Sequence, residues 1–261
     1  LVIEGRIPKT DIDVGQIVVE TQARIGAGAQ PHRVPGTRYG QSASDAEKNL
    51  AGCIDHTLLS ADADREAVDR LCQQAQKWST ASVCVNPIWV SLASRNLRSS
   101  SVRVCSVVGF PFGASLSALK AKEAHMAVEE GASEIDMVMA LGKFRSGCWE
   151  FVLDDIVQVR QAIGDLVLKV IIETGLWEDD QIVQAATIAV AAGADYVKTS
   201  TGFLAGGATL PAVRLLRTAV GATAGVKASG GIKTRQAAWS MIAAGADRLG
   251  CSQTEVLLQG D

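Results

Sequence analysis

From Leu50 onward, short apolar runs alternate with longer amphipathic stretches, a pattern that predicts repeated βα units on a parallel sheet. Eight runs read as strands, at residues 52–56, 82–85, 102–108, 134–139, 167–173, 196–199, 225–228 and 248–251. Between them, stretches such as AKEAHMAVEEGA, FVLDDIVQVRQAIG, DDQIVQAATIAVAAGA and LPAVRLLRTAVGA space their apolar positions as a helix does. Most close on a glycine of the kind that ends helices. The pattern favours the α/β class and a single (β/α)8 TIM barrel, with its chemistry at the C-terminal ends of the strands. An open doubly wound sheet shares much of it, but no G-x-G-x-x-G turn follows the first strand.

The first 45 residues differ. Three of the six prolines (Pro8, Pro31, Pro35) and six glycines fall there without sustained periodicity, which predicts an irregular N-terminal arm over 1–45 and a barrel over 46–261. Within the arm, the apolar patch 15–20 (GQIVVE) is a candidate to pair with a sheet edge or a neighbouring subunit.

Charged residues inside apolar strands are the informative ones, because burying a charge is costly unless it is paired or used. Asp136 sits in SEIDMVMA, Lys169 in LVLKVIIET, Lys198 in DYVKTSTG and Lys227 in AGVKASGG. Strand alternation puts Glu134 and Asp136 on one face, and Lys169 and Glu173 likewise, pointing into the barrel. Lys198 and Lys227 close the sixth and seventh strands, so their ammonium groups are expected to converge. Two neighbouring cations in a partly desolvated pocket disfavour each other's charge, and a lysine that gives up its proton is a nucleophile towards aldehydes. Asp136 is the acidic candidate for proton transfer. Taken singly, each has an ordinary explanation, since strand-end lysines snorkel to water and a barrel carboxylate can simply pair with Lys169. Two lysines and an acid on one inner surface are harder to explain as packing. By contrast, His56 reads as a loop or core histidine. Glycine- and hydroxyl-rich turns follow strands six to eight, STGFLAGG, SGGIKT and LGCSQ, where barrels commonly hold phosphate on backbone amides.

Composition narrows the choice. With 25 basic against 28 acidic residues and a formal charge of -3, no broad field attracts nucleic acid or an anionic membrane. Any anionic ligand must be held locally. Six scattered cysteines, with no C-x-x-C pair and no companion histidines at metal-ligand spacing, read as core residues of a reduced, cytoplasmic protein with no metal site. No run is apolar enough to predict a membrane span.

In order along the chain, IDHTLL, SVCVNP, VVGFPFG, EIDMVM, LKVIIET, YVKTSTGF and VKASGGIKT together resemble the deoxyribose-phosphate aldolase family, from about Leu50 to the end. The resemblance implies reversible cleavage of 2-deoxy-D-ribose 5-phosphate to acetaldehyde and D-glyceraldehyde 3-phosphate, through a Schiff base and without metal or organic cofactor. It also implies a homo-oligomer, a dimer or tetramer, whose partners are a phosphorylated sugar and aldehydes. Lys198 then matches the Schiff-base lysine, Lys227 the lysine that perturbs it, and Asp136 the proton relay. Gly202, Gly230, Gly231 and Ser252 match phosphate-contacting positions, and Asp55 and Thr57 line the substrate pocket. Lys169, Thr201 and Gly250, from the same inner face and turns, are assigned to substrate or phosphate contact, while Cys84 matches a cysteine near the pocket. Two positions depart from the pattern. Ala140 replaces a common asparagine, removing one polar contact near Asp136. Phe203 replaces a lysine found in some members, so that phosphate binding leans on backbone amides.

Two other readings compete: a lysine-dependent barrel aldolase for a different donor, and a non-catalytic barrel that binds phosphorylated ligands or a protein. Both predict the same fold, but neither accounts for all seven motifs. Because every motif begins after the arm, deletion of residues 1–45 is expected to leave turnover per folded site nearly unchanged. Steady-state kinetics on the truncated chain, scaled by titrated active sites, provides the check.

Overall fold

A computed structural model describes residues 13–25, 49–204 and 206–259. Eight parallel strands close into a barrel in sequence order, each hydrogen-bonded to the next and β8 to β1. They are β1 (Ile54–Leu58), β2 (Ser82–Val85), β3 (Arg103–Val108), β4 (Glu134–Val138), β5 (Val167–Ile171), β6 (Tyr196–Lys198), β7 (Gly225–Ser229) and β8 (Arg248–Cys251). The helices are α1 (Val14–Ile25), α2 (Arg65–Trp78), α3 (Val90–Leu97), α4 (Ser117–Glu129), α5 (Leu141–Arg145), α6 (Trp149–Ile163), α7 (Asp179–Ala191), α8 (Leu210–Val220), α9 (Arg235–Ala243) and α10 (Thr254–Gln259). No helix among the described residues is long and apolar enough to cross a membrane.

The expected closed barrel is present, with strand ends shifted by a residue or two; the fifth strand, expected to reach 173, ends at Ile171. The first strand begins at Ile54 rather than 52, because residues Ala51–Cys53 form a tight turn in which the Asn49 side chain accepts from the Gly52 amide. The patch at 15–20 is not a strand: it lies within α1, which packs on α7 and touches α8 and α6, burying Thr21. Within the predicted arm, residues 1–12 and 26–45 lie outside the described residues.

Alternation divides the barrel cleanly. Ile135, Met137, Leu168 and Val170 face the helices and are fully buried in the main core. The lumen has two unlike halves. Cys84, Cys105, Val107 and Leu59 form a separate small apolar cluster with Phe110, whereas β4–β8, joined by Asp55 of β1, present charged groups.

The sequence AAGAD occurs twice, at 191–195 and 243–247, and both copies are held alike. Arg160 of α6 binds Gly193 O and Asp195, whose carboxylate accepts from the Leu168 amide; Arg217 of α8 binds Gly245 O and Asp247, which accepts from the Val226 amide. Each arginine thus ties a helix to the start of a neighbouring strand.

Between α4 and α6 lies a buried ion pair, in which Lys120 Nζ meets Asp155 Oδ2 at 2.7 Å and donates to Val138 O at 3.0 Å. Gly109, at φ 60°, leaves room for this side chain, since a Cβ there would stand 3.0 Å from Lys120 Cε. Burial pushes the Lys120 pKa down despite Asp155. Asp155→Ala leaves this buried ammonium without its counter-ion and is expected to cost on the order of 3–5 kcal/mol. Joint replacement by Lys120→Met and Asp155→Leu should recover most of the loss. Urea unfolding of the three proteins measures both.

Candidate active site

The charged half of the lumen is one connected network. Asp136 Oδ2, on β4, receives Lys198 Nζ at 2.7 Å and Lys227 Nζ at 2.6 Å, while Oδ1 receives Lys169 Nζ at 2.8 Å and the Cys105 thiol at 3.1 Å. Lys169 also meets Glu134 at 2.6 Å and Asp55 at 3.8 Å, and Lys227 meets Asp55 at 2.6 Å. Arg248 binds Asp55 at 2.6 Å and Glu134 at 3.3 Å, with Ser82 donating to Asp55 at 2.7 Å. All of these strand side chains are buried.

Four buried cations, Lys169, Lys198, Lys227 and Arg248, face three carboxylates, Asp55, Glu134 and Asp136, and the half-exposed Arg103 reaches Glu134 at 3.1 Å. Burial alone would raise the Asp136 pKa, but Lys169, Lys198 and Lys227 outweigh it and hold the carboxyl well below the usual range. Burial likewise opposes charge on Lys227, yet Asp136 and Asp55 raise its pKa, so it stays a cation. The expected convergence of Lys198 and Lys227 is observed, in direct register on adjacent strands. Not foreseen was the carboxylate oxygen lying between their ammonium groups. Lys198 meets a single carboxylate, whereas Lys227 meets two and Lys169 three.

The glycine turns also converge. A Cβ on Gly207 would lie 2.5 Å from Gly230 O, and one on Gly202 3.8 Å from Gly230 Cα, so the segments after β6 and β7 run against each other. Gly202, Gly230 and Gly231 all have positive φ, and nothing stands within 4 Å of a Cβ built on Gly231, leaving open space beside it. Gly250 lies beneath this cradle, and a Cβ there would press on Ser229 at 2.9 Å and Lys227 Cε at 3.3 Å; its missing side chain makes room for the lysine. The Thr201 amide is occupied by Glu173 Oε2 at 2.9 Å and its hydroxyl accepts from the Phe203 amide at 3.1 Å. Ser252 is exposed just after β8. Thr57 is half-buried and donates to Asp55 O at 2.7 Å.

Other positions are structural. His56 points outward, its ring nitrogens 3.0 Å from Gln74 Oε1 and 2.8 Å from Thr254 Oγ1. Ala140 is buried, and Phe203 stacks edge-on against Phe110 at 5.2 Å, joining the segments after β3 and β6. Cys84, Cys105 and Asp136 bring their possible ligand atoms within 4.8 Å of one another. A metal ion there would confront the three ammonium groups already on Asp136, so these residues do not suit one. Arg248, Glu134 and Glu173 were not singled out from sequence as site residues, although alternation placed both glutamates on the inner face.

A family model described as DeoC/LacD family aldolase matches residues 50–253. A deoxyribose-phosphate aldolase of Lactococcus lactis subsp. lactis (strain IL1403) is 52% identical over 207 residues, covering 79% of this chain and 94% of the relative. One of Brevibacillus brevis (strain 47) is 49% identical over 212 residues, covering 81% and 96%. Among solved structures, a deoxyribose phosphate aldolase of Aeropyrum pernix, described as a unique tetramer, superposes with a TM-score of 0.76 at 32% identity, covering 95% of this chain and 96% of that one.

Asp136 is the joint of the network, so Asp136→Asn should be costly, on the order of 3–5 kcal/mol, by leaving three ammonium groups short of a counter-charge. Because the folded Asp136 pKa is depressed, its stabilisation is fully present above the unfolded carboxyl value of about 4 and is lost as pH falls through the lower folded value. The gap between wild type and variant should hold from pH 5 to 8, on the order of the cost above, and narrow only below about pH 4. Urea titrations across pH decide this, and a gap that closes near pH 6 would place the carboxyl's titration elsewhere.

Proposed function

The chain belongs to the DeoC/LacD family of aldolases, and from that premise we propose that it cleaves 2-deoxy-D-ribose 5-phosphate reversibly to acetaldehyde and D-glyceraldehyde 3-phosphate through a Schiff base on Lys198. The observation that carries this reading is the placement of Lys198 at the C-terminal end of β6, with one carboxylate partner where neighbouring cations have two or more.

The chemistry follows from the surroundings. Neutral Lys198 Nζ adds to C1 of the open-chain sugar, and loss of water gives an iminium. Loss of the proton from the C3 hydroxyl lets the C2–C3 electron pair flow towards the iminium nitrogen, releasing glyceraldehyde 3-phosphate and leaving an enamine. Protonation of the enamine carbon and hydrolysis of the new iminium then free acetaldehyde and regenerate the amine. Asp136, held ionised beside Lys198, suits a base or relay acting through a water, with Lys227 as a fixed cation on the same carboxylate oxygen. The apolar wall of Cys84, Cys105 and Val107 suits the two-carbon fragment. Backbone amides of the turns carrying Gly202, Gly230 and Gly231 would receive the phosphate, with Ser252 at their edge, while Asp55, Thr57, Lys169 and Gly250 shape the pocket beneath.

Self-association fits the same reading. The Aeropyrum pernix relative is tetrameric, and the segments after β2 and β3 expose Ile88, Phe112, Leu116 and Leu119 here. A reducing, cytoplasmic setting fits the six cysteines, which are all free.

Borohydride reduction in the presence of acetaldehyde, followed by peptide mapping, tests the assignment. The adduct is expected on Lys198 and is expected to vanish in Lys198→Met. An adduct on Lys227 or Lys169 would reverse the roles, and faster turnover of another donor in a substrate panel would replace the substrate.

A further inference from the structure

Glu173 lies two residues beyond β5 with a left-handed backbone, φ 56° and ψ 64°, a conformation that a side chain with a Cβ adopts only where its surroundings require it. They do so here. The Ile172 amide donates to Lys198 O at 3.1 Å, the Thr174 amide to Thr199 O at 2.8 Å, and the Trp177 indole to Ile172 O at 2.6 Å. The turn after β5 is thereby laced to the segment that begins with Lys198.

This places a wholly buried carboxyl against that segment. Glu173 Oε2 accepts from the Thr201 amide at 2.9 Å, while Oε1 has no hydrogen-bond partner among the described residues. Burial pushes the Glu173 pKa up, and Thr201 and Lys198 pull it back. Packing alone would be served better by an apolar side chain, since burying a carboxyl oxygen without a partner is unfavourable. Thr201 stands three residues after Lys198 and immediately before Gly202. With its amide tied to Glu173 and its hydroxyl to the Phe203 amide, the turn is held from both sides.

We propose that Glu173 is a positioning residue for the phosphorylated end of the substrate, holding the Thr201 amide so that Gly202 stays beside Gly230 while Lys198 keeps its place on the same short segment. The proposal rests on the reading that this turn receives the phosphate.

Two variants separate positioning from general support. Glu173→Asn tolerates the left-handed backbone but stops one methylene short of Thr201, whereas Glu173→Gln keeps both the reach and an acceptor oxygen. KM and kcat are measured for deoxyribose 5-phosphate and for unphosphorylated deoxyribose, together with borohydride trapping of acetaldehyde. Loss of a hydrogen bond to a charged group predicts that Glu173→Asn raises KM for the phosphorylated sugar about tenfold or more, with kcat less affected. KM for deoxyribose should move by about twofold at most, trapping should persist, and Glu173→Gln should return KM to within about threefold of wild type. Where the asparagine variant does not fold, Glu173→Asp carries the same comparison. Equal losses on both sugars, or a glutamine variant as impaired as the shortened one, would overturn the positioning role. A wild-type enzyme that handles both sugars equally well would instead remove the phosphate reading, and this proposal with it.

Discussion

The Asp136 carboxylate, shared by three ammonium groups in a closed lumen, is the constraint on which the rest of the structure depends. Buried ions are costly to desolvate, and apolar residues of similar volume would often hold a barrel together as well. A network of this size is therefore weak as a device for stability and informative as a device for chemistry. Its members come from β1, β4, β5, β6, β7 and β8, so their distances exist only once the barrel has closed. The arginine-held AAGAD turns and the Lys120–Asp155 pair fix the helices on the outside and so keep the strand ends in place around Asp136.

The lumen's two halves suit different parts of one reaction. On one side Cys84, Cys105, Val107 and Leu59 make a wall of thiol and hydrocarbon, which would offer a small aldehyde an apolar surface. Across from it, the segments after β6 and β7 approach so closely that only glycine fits at 207. That contact sets the turn carrying Gly230 relative to Lys198, because Lys198 and Gly202 lie on one short piece of chain. A loop with more freedom would let the two ends of the substrate be held at variable separation, and orientation is a large part of what a site of this kind supplies.

Much of this is legible in the sequence, for a simple reason. Strand alternation is local, so Glu134, Asp136, Lys169 and Lys198 announce their inward direction within five or six residues of context. Chain order then puts the strands of Lys198 and Lys227 side by side. What stays hidden is set by closure. Arg248 pairs with Asp55 across the β8–β1 seam, a contact 193 residues apart in the chain. Nothing local tells that Arg248 turns to the lumen rather than to water. Helix α1 is hidden differently: prolines and glycines on both sides of it mask a short amphipathic stretch whose stability comes from packing on α7. For Glu173, alternation is extended past the end of β5 at Ile171, where its left-handed backbone and its bond to Thr201 depend on the neighbouring segment.

Three lysines with the same intrinsic chemistry stand within one network, and the structure distinguishes them by depth and by number of partners. Lys169 pairs in register with Tyr196, two residues before Lys198 on β6, and so lies a step deeper; three carboxylates surround it. Lys227 is level with Lys198 but bridges Asp55 and Asp136. Lys198 has Asp136 alone and is the one of the three whose side chain keeps some exposure, 4% against 0%. A substrate entering from the strand C-termini meets the least compensated amine first. Carboxylates raise the pKa of Lys169 and Lys227 against the pull of burial, and these two cations keep Asp136 ionised. The same residue type at three strand positions thus stands in three different sets of ion pairs.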